Sequence, residues 1–180
     1  DGVIFDHDGD GIAHGSGWIA ADDGLLVLDR NGNGIIDTGA ELFGDHTDTS
    51  AGRALNGFAP LIELDENNDG KVDAQDTQFS ALRVWRDLNQ NGISENSELF
   101  SLTSLGIRAL NVAHLAGNTV LANGNAIAET GTFVRTDGSS GTMADVNLLG
   151  DATRNRFSSS IPLTAAASAL PELQGMGWVR

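Results

Sequence analysis

The chain contains no cysteine. No disulfide can hold it, so stability beyond the core has to come from packing or bound metal. No stretch approaches the ~18 apolar residues needed to cross a bilayer as a helix. Asp1 is followed by neither a basic segment nor an apolar run, so no signal peptide stands here, and the chain reads as an excised piece of something longer. Cationic residues are scarce: 10 against 25 acidic ones, for a formal charge of -15, with Lys71 the only lysine. Such a surface repels nucleic acid and anionic lipid, so neither nucleic-acid binding nor membrane insertion is expected.

Common catalytic signatures are also missing. His7, His14, His46 and His114 are scattered, form no HExxH pair, and read as surface or loop residues. His14-Gly15-Ser16-Gly17 lacks the first glycine of a nucleophile elbow. Gly9-x-Gly11 lacks the third glycine of a dinucleotide loop, and there is no P-loop. No two glycines are adjacent, which excludes the nonapeptide calcium repeats of β-rolls.

What the chain does contain is one arrangement of oxygen-bearing side chains, written four times. Asp6-His7-Asp8-Gly9-Asp10-Gly11, Asp29-Arg30-Asn31-Gly32-Asn33-Gly34, Asp65-Glu66-Asn67-Asn68-Asp69-Gly70 and Asp87-Leu88-Asn89-Gln90-Asn91-Gly92 each place Asp at position 1, Asp or Asn at 3 and 5, and Gly at 6. A hard cation such as Ca²⁺ takes six to eight oxygens, and this spacing wraps them around it while glycine allows the sharp turn. About four Ca²⁺ ions are expected, supplying about +8 against the acidic excess.

The loops differ in how they close. Loop 4 offers Asp87, Asn89, Asn91, the Ile93 carbonyl, Glu95 at position 9 and Glu98 at 12, where both oxygens can reach an ion. Its Ser94 stands at position 8, where an apolar residue usually pairs with a neighbouring loop. Loop 3 offers Asp65, Asn67, Asp69, the Lys71 carbonyl, Asp73 and the shorter Asp76. Loop 2 offers Asp29, Asn31, Asn33, the Ile35 carbonyl and Asp37, but its next acid, Glu41, falls at position 13. Loop 1 offers Asp6, Asp8, Asp10 and the Ile12 carbonyl, with only Gly17 at position 12; Asp22 or Asp23 is the expected closing ligand. An Asx-rich turn without an ion would use the same residues.

The expected fold class is α+β: EF-hand-like calcium loops with short helices, plus a small antiparallel sheet. Trp18-Ile19-Ala20 and Leu25 to Leu28 read as brief strands, and Ala40 to Phe43 as a short helix. Phe58 to Leu64 has helical spacing; Ala74 to Leu82 and Asn96 to Leu105 are expected exit helices of loops 3 and 4, the second stopped by Gly106. Beyond it, Ile107 to Val112, Thr119 to Leu121, Ile127 to Thr130, Thr132 to Thr136 and Thr142 to Leu148 predict strands, with Asn123-Gly124 and Asp137-Gly138 as hairpin turns. The expected division is a calcium-binding module over 1–157 and a linker with C-terminal extension over 158–180, in which 171–180 forms a short helix or hook. Trp18 and Trp85 are assigned to the core.

Phe5-Asp6-His7, the run Gly17 to Val27, Asn31-Gly32-Asn33-Gly34-Ile35-Ile36-Asp37, Gly39 to Asp45, and Leu82-Arg83-Val84-Trp85-x-Asp87-Leu88-Asn89-Gln90-x-Gly92-Ile93-Ser94 closely resemble the self-processing module of FrpC-like RTX proteins. The resemblance runs from about residue 3 to Phe157. It implies a secreted or cell-surface part of a large, type I-secreted bacterial polypeptide that folds on meeting external calcium. It also implies a relation to modules that cleave an Asp-Pro bond at their N-terminal edge, the aspartate attacking its own carbonyl, with a lysine amine able to capture the anhydride as an isopeptide. This chain holds no Asp-Pro: its prolines follow Ala59, Ile161 and Leu170. No catalytic residue is therefore carried over. The alternative expectation is an adhesin module that captures a peptide or glycan through calcium, with loop 1 as the place.

Overall fold

A computed structural model of the chain describes residues 2–158 and 164–169. Its regular structure is predominantly antiparallel β. In chain order the strands are β1 (Val3–Phe5), β2 (Ile12–Ser16), β3 (Leu25–Val27), β4 (Asp48–Thr49), β5 (Gly52–Arg53), β6 (Lys71–Asp73), β7 (Arg83–Trp85), β8 (Leu99–Ser101), β9 (Ile107–Val120), β10 (Ala126–Arg135), β11 (Ser140–Asn147) and β12 (Gly150–Phe157). They form sheets of order β1-β2-β12, β3-β7-β8 and β11-β10-β9-β6, with β4-β5 as a separate ribbon. The helices are α1 (Phe58–Ile62) and α2 (Ala165–Ser168), with three single 3₁₀ turns.

The expectation of EF-hand-like helices is overturned. Ala74 to Leu82 is a chain of turns in which Asp76, Phe79 and Ala81 donate to carbonyls three residues back. Asp73 Oδ1 takes the Gln75 amide and Asp76 Oδ2 the Asp73 amide, so side chains win the backbone donors that a helix would need. Asn96 to Leu105 splits into a 3₁₀ turn at Asn96–Glu98, strand β8 and a second turn at Thr103–Leu105. Here the pairing of β8 with β7, Leu99 opposite Trp85, outweighs local helical spacing. Gly106 does stop this segment, in the left-handed region at φ 70°. The Ala40 to Phe43 helix is a 3₁₀ turn at Gly39–Glu41, and Trp18 to Ala20 has no regular structure.

The C-terminal hairpins form as their turn residues require. Gly124 and Gly138 adopt φ of 88° and 86° in the turns joining β9 to β10 and β10 to β11. The separate strands expected there fuse into long bulged ones. Strand β12 has no counterpart among the expected strands; it returns to pair with β2 and places Phe157 opposite Ile12. Within the expected linker, α2 is described; the expected hook over 171–180 lies outside the described residues.

Two apolar clusters hold these pieces. Leu28, Val72, Phe79, Leu82, Leu102, Ile107 and Leu110 cluster with Phe58 and Leu61 of α1. Val3, Phe5, Trp18, Val27, Ile36 and Trp85 form the second, with the Trp18 and Trp85 rings 5.5 Å apart. Both tryptophans are core residues, as expected.

One cross-strand pair opposes the fold. Glu129 and Asp145 face each other across β10 and β11. Burial, then repulsion from Glu129 and Asp45, raises the Asp145 pKa even though the Gly57 amide bonds it. A carboxyl raised by folding favours the native state most below its unfolded pKa, and that advantage is lost as pH rises toward the folded value. Asp145→Asn is therefore expected to stabilise the chain at pH 7 by a few tenths to about 1 kcal/mol, the size of a like-charge cross-strand term. The gain should vanish below about pH 4 in thermal melts.

A candidate metal centre of four loops

The four Asp-led segments share one backbone. Position 6 has positive φ in every loop: Gly11 88°, Gly34 84°, Gly70 88° and Gly92 71°. Position 4 does too, through Gly9 70°, Gly32 72°, Asn68 58° and Gln90 56°. Asn68 and Gln90 hold a conformation that costs a non-glycine residue about 1–2 kcal/mol. Sequence reading identified position 6 and missed position 4, because only two loops carry glycine there.

This backbone wraps each chain segment around its first aspartate. Asp6 accepts the amides of Gly9 and Gly11 at 2.8 and 3.0 Å. Asp29 accepts those of Gly32, Asn33 and Gly34. Asp65 accepts those of Asp69 and Gly70, and Asp87 those of Asn91 and Gly92. Side chains at positions 3 and 5 converge on the position-9 acid: Asn89 and Asn91 both donate to Glu95, and Asn33 donates to Asp37.

Closure follows one rule in loops 3 and 4. Glu98 Oε1 accepts the position-2 amide of Leu88 at 2.9 Å, and Oε2 faces the position-9 amide of Glu95 at 3.4 Å. Asp76 accepts the position-2 amide of Glu66 at 2.9 Å and the position-9 amide of Asp73 at 2.8 Å. Loop 2 repeats half of this pattern despite the late position of its acid. The 3₁₀ turn Gly39–Glu41 brings Glu41 back, and Oε2 accepts the position-9 amide of Asp37 at 3.0 Å. Its Oε1 is buried with no partner. Burial, with added repulsion from Asp37, raises the Glu41 pKa against the bonds from the Asp37 and Thr38 amides.

Loop 1 is open. Carboxylate oxygens of Asp6, Asp8 and Asp10 lie within 4.8 Å of one another, Asp6 buried and the other two exposed. After Asp10 the chain continues into β2, where Ile12 pairs with Phe157. Asp22 and Asp23 sit exposed in a turn closed by the Asp23 amide on Ala20 and are not part of that cluster among the described residues.

Charge is the feature that these contacts leave uncompensated. Asp6, Glu41, Asp65, Asp76, Asp87 and Glu98 are all buried, Asp87 completely. Among the described residues the ion pairs are His46 with Asp45 at 3.8 Å and Arg53 with Asp48 at 4.0 Å, and neither includes a loop acid. Buried carboxylates without counter-charge are costly unless paired or coordinated to metal. The donor set is all oxygen, which suits a hard cation. The free oxygen of Glu41 is a further point of fit. Asp6, Asp8, Asp10 and the Ile12 carbonyl would serve loop 1; Asp29, Asn31, Asn33, Asp37, Glu41 and the Ile35 carbonyl loop 2. Asp65, Asn67, Asp69, Asp73, Asp76 and the Lys71 carbonyl would serve loop 3; Asp87, Asn89, Asn91, Glu95, Glu98 and the Ile93 carbonyl loop 4.

Loop 4 is also tied to the second core cluster. The Trp18 indole N–H donates to Asp87 Oδ2 at 2.7 Å across 69 positions, and the Trp85 indole faces Glu98 Oε2 at 3.4 Å. Neither contact has a signal in the sequence, since both depend on long-range packing.

Residues 1–149 match the model of the SPM domain family. Over 180 residues the chain is 48% identical to the iron-regulated protein FrpA of Neisseria meningitidis serogroup C. That match covers 99% of this chain and 16% of the relative's length. Strand β12 begins just after the matched residues. With most of its length matched, the chain belongs to the SPM domain family.

Proposed function

We propose that the chain is a calcium-binding module whose fold is completed by the ion, within a large secreted RTX-type bacterial protein. The observation that carries this reading is the set of six buried loop acids, none of which makes an ion pair among the described residues. Membership of the SPM domain family and the likeness to FrpA support the RTX setting, while a relation to Asp-Pro processing modules rests on the resemblance of the sequence. Bound calcium supplies the missing positive charge and a link among the side chains of each loop. The protein's own groups provide the rest: backbone amides fix each position-1 carboxylate, and Glu41, Asp76 and Glu98 close loops 2, 3 and 4. Processing, in this reading, belongs to a longer polypeptide that carries the Asp-Pro bond, since this chain has none.

Isothermal calorimetry of the chelator-treated chain is expected to count three or four calcium ions, with the loop 1 site weakest. A chain that takes up no calcium at millimolar concentration would overturn the reading. Capture of a peptide or glycan is the second reading, and the exposure of Asp8 and Asp10 in the open loop 1 favours it. It requires ligand binding that disappears on chelation.

A further inference from the structure

We propose that loops 2 and 4 form one coupled pair of cation sites, joined through the hydroxyl of Ser94. This inference rests on the calcium reading and adds a relation between two sites that stand 58 positions apart.

Ile36 and Ser94 occupy position 8 of their respective loops. The Ile36 amide donates to Ser94 Oγ at 2.7 Å, and Ser94 Oγ donates in return to the Ile36 carbonyl at 3.1 Å. One hydroxyl thus makes both bonds that a paired backbone strand would make. Both residues are buried, Ile36 at 2% and Ser94 at 5% exposure, so water does not compete for these bonds. The polar residue at position 8, a departure by sequence pattern, is the joint between the loops.

The chemistry of the peptide unit gives the joint its consequence. The Ile35 carbonyl, the position-7 oxygen of loop 2, belongs to the same peptide group as the Ile36 amide. Drawing electron density from that carbonyl makes the amide a stronger donor to Ser94 Oγ, and a bonded amide makes the carbonyl a better ligand. Ser94 follows directly on Ile93, whose carbonyl is the position-7 oxygen of loop 4. An ordered loop 4 therefore holds Ser94 Oγ where loop 2 needs it. Loop 2 has most to gain, because Glu41 reaches the position-9 amide but leaves Oε1 buried and unpartnered. Loop 3 does not share this link: its position-8 residue, Val72, pairs with Leu110 of β9.

The test uses calcium alone and follows the amide signals of Gly34 and Gly92 by NMR as reporters of loops 2 and 4. Weakening loop 4 with Glu98→Gln is expected to shift the Gly34 midpoint to about five- to tenfold higher calcium, in the lower part of typical coupling. In a Ser94→Ala background the same substitution should leave that midpoint unchanged, while Ser94→Thr, which keeps the hydroxyl, should retain the shift. Without metal, Ser94→Ala should speed hydrogen exchange at Ile36. A Gly34 midpoint that ignores Glu98→Gln in the Ser94 chain overturns the coupling, whether or not Ser94→Ala folds. So does a shift of equal size with and without the hydroxyl. Both results leave calcium binding intact; absence of any calcium-dependent signal would instead remove the calcium reading and the coupling together.

Discussion

Millimolar calcium is expected to raise the melting temperature of the chelated chain by on the order of 20–40 °C. A ligand that binds only the native state stabilises it by about 2.7 kcal/mol at 100 times its dissociation constant. Four such sites give roughly 11 kcal/mol, and a chain of this length moves by about 2–4 °C per kcal/mol. The size of the effect follows from what the protein does without cations. Six buried acids then meet backbone amides and, at Asp87 and Glu98, an indole N–H, with no lysine or arginine within ion-pair distance among the described residues. No disulfide offsets that cost. Magnesium should substitute poorly, since it demands a smaller octahedral shell and gives up water reluctantly. Equal melting in calcium and in chelator, read by circular dichroism, would mean that the loops are Asx turns and nothing more.

Asp87→Ala is expected to be the most damaging single substitution in the loops, lowering stability in calcium by about 3–5 kcal/mol. Asp87 is fully buried and accepts three donors: the amides of Asn91 and Gly92 and the Trp18 indole. Alanine strands the Gly92 amide and the Trp18 indole, at about 1–3 kcal/mol for each unsatisfied group before relaxation, while the Asn91 amide keeps Asn89 Oδ1. Under the proposed calcium binding it also removes the first ligand of the most complete loop. The two contributions separate on chelation. Without calcium, the wild-type chain carries an unpaired buried charge that alanine relieves, so the loss should shrink. Denaturant unfolding in both conditions reads the difference; an equal loss in each would reduce Asp87 to a hydrogen-bond hub.

The parts of this molecule legible in its sequence are those fixed by neighbours along the chain. Asn123-Gly124 and Asp137-Gly138 marked their hairpins because few residues accept positive φ. The Asp-led loops were visible because position 1 bonds amides four and five residues on. The exit helices failed for a physical reason. Asp73, Asp76 and Glu98 compete locally for backbone donors, and β8 gains more by pairing with β7 than by coiling. The Trp18–Asp87 bond, the Ser94–Ile36 joint and the return of β12 span 69, 58 and more than a hundred positions, and no local pattern encodes them.

That return of β12 sets how the module carries load. Val3 and Gly150 lie opposite Ser16 at one end of the β1-β2-β12 sheet, while Phe5 lies opposite His14 and Phe157 opposite Ile12 at the other. Tension entering at Val3 and leaving at Phe157 pulls β1 and β12 in opposite directions along their length. The hydrogen bonds between antiparallel strands run perpendicular to that pull. They are strained together instead of opening one by one, so a stretched polypeptide meets this sheet in shear.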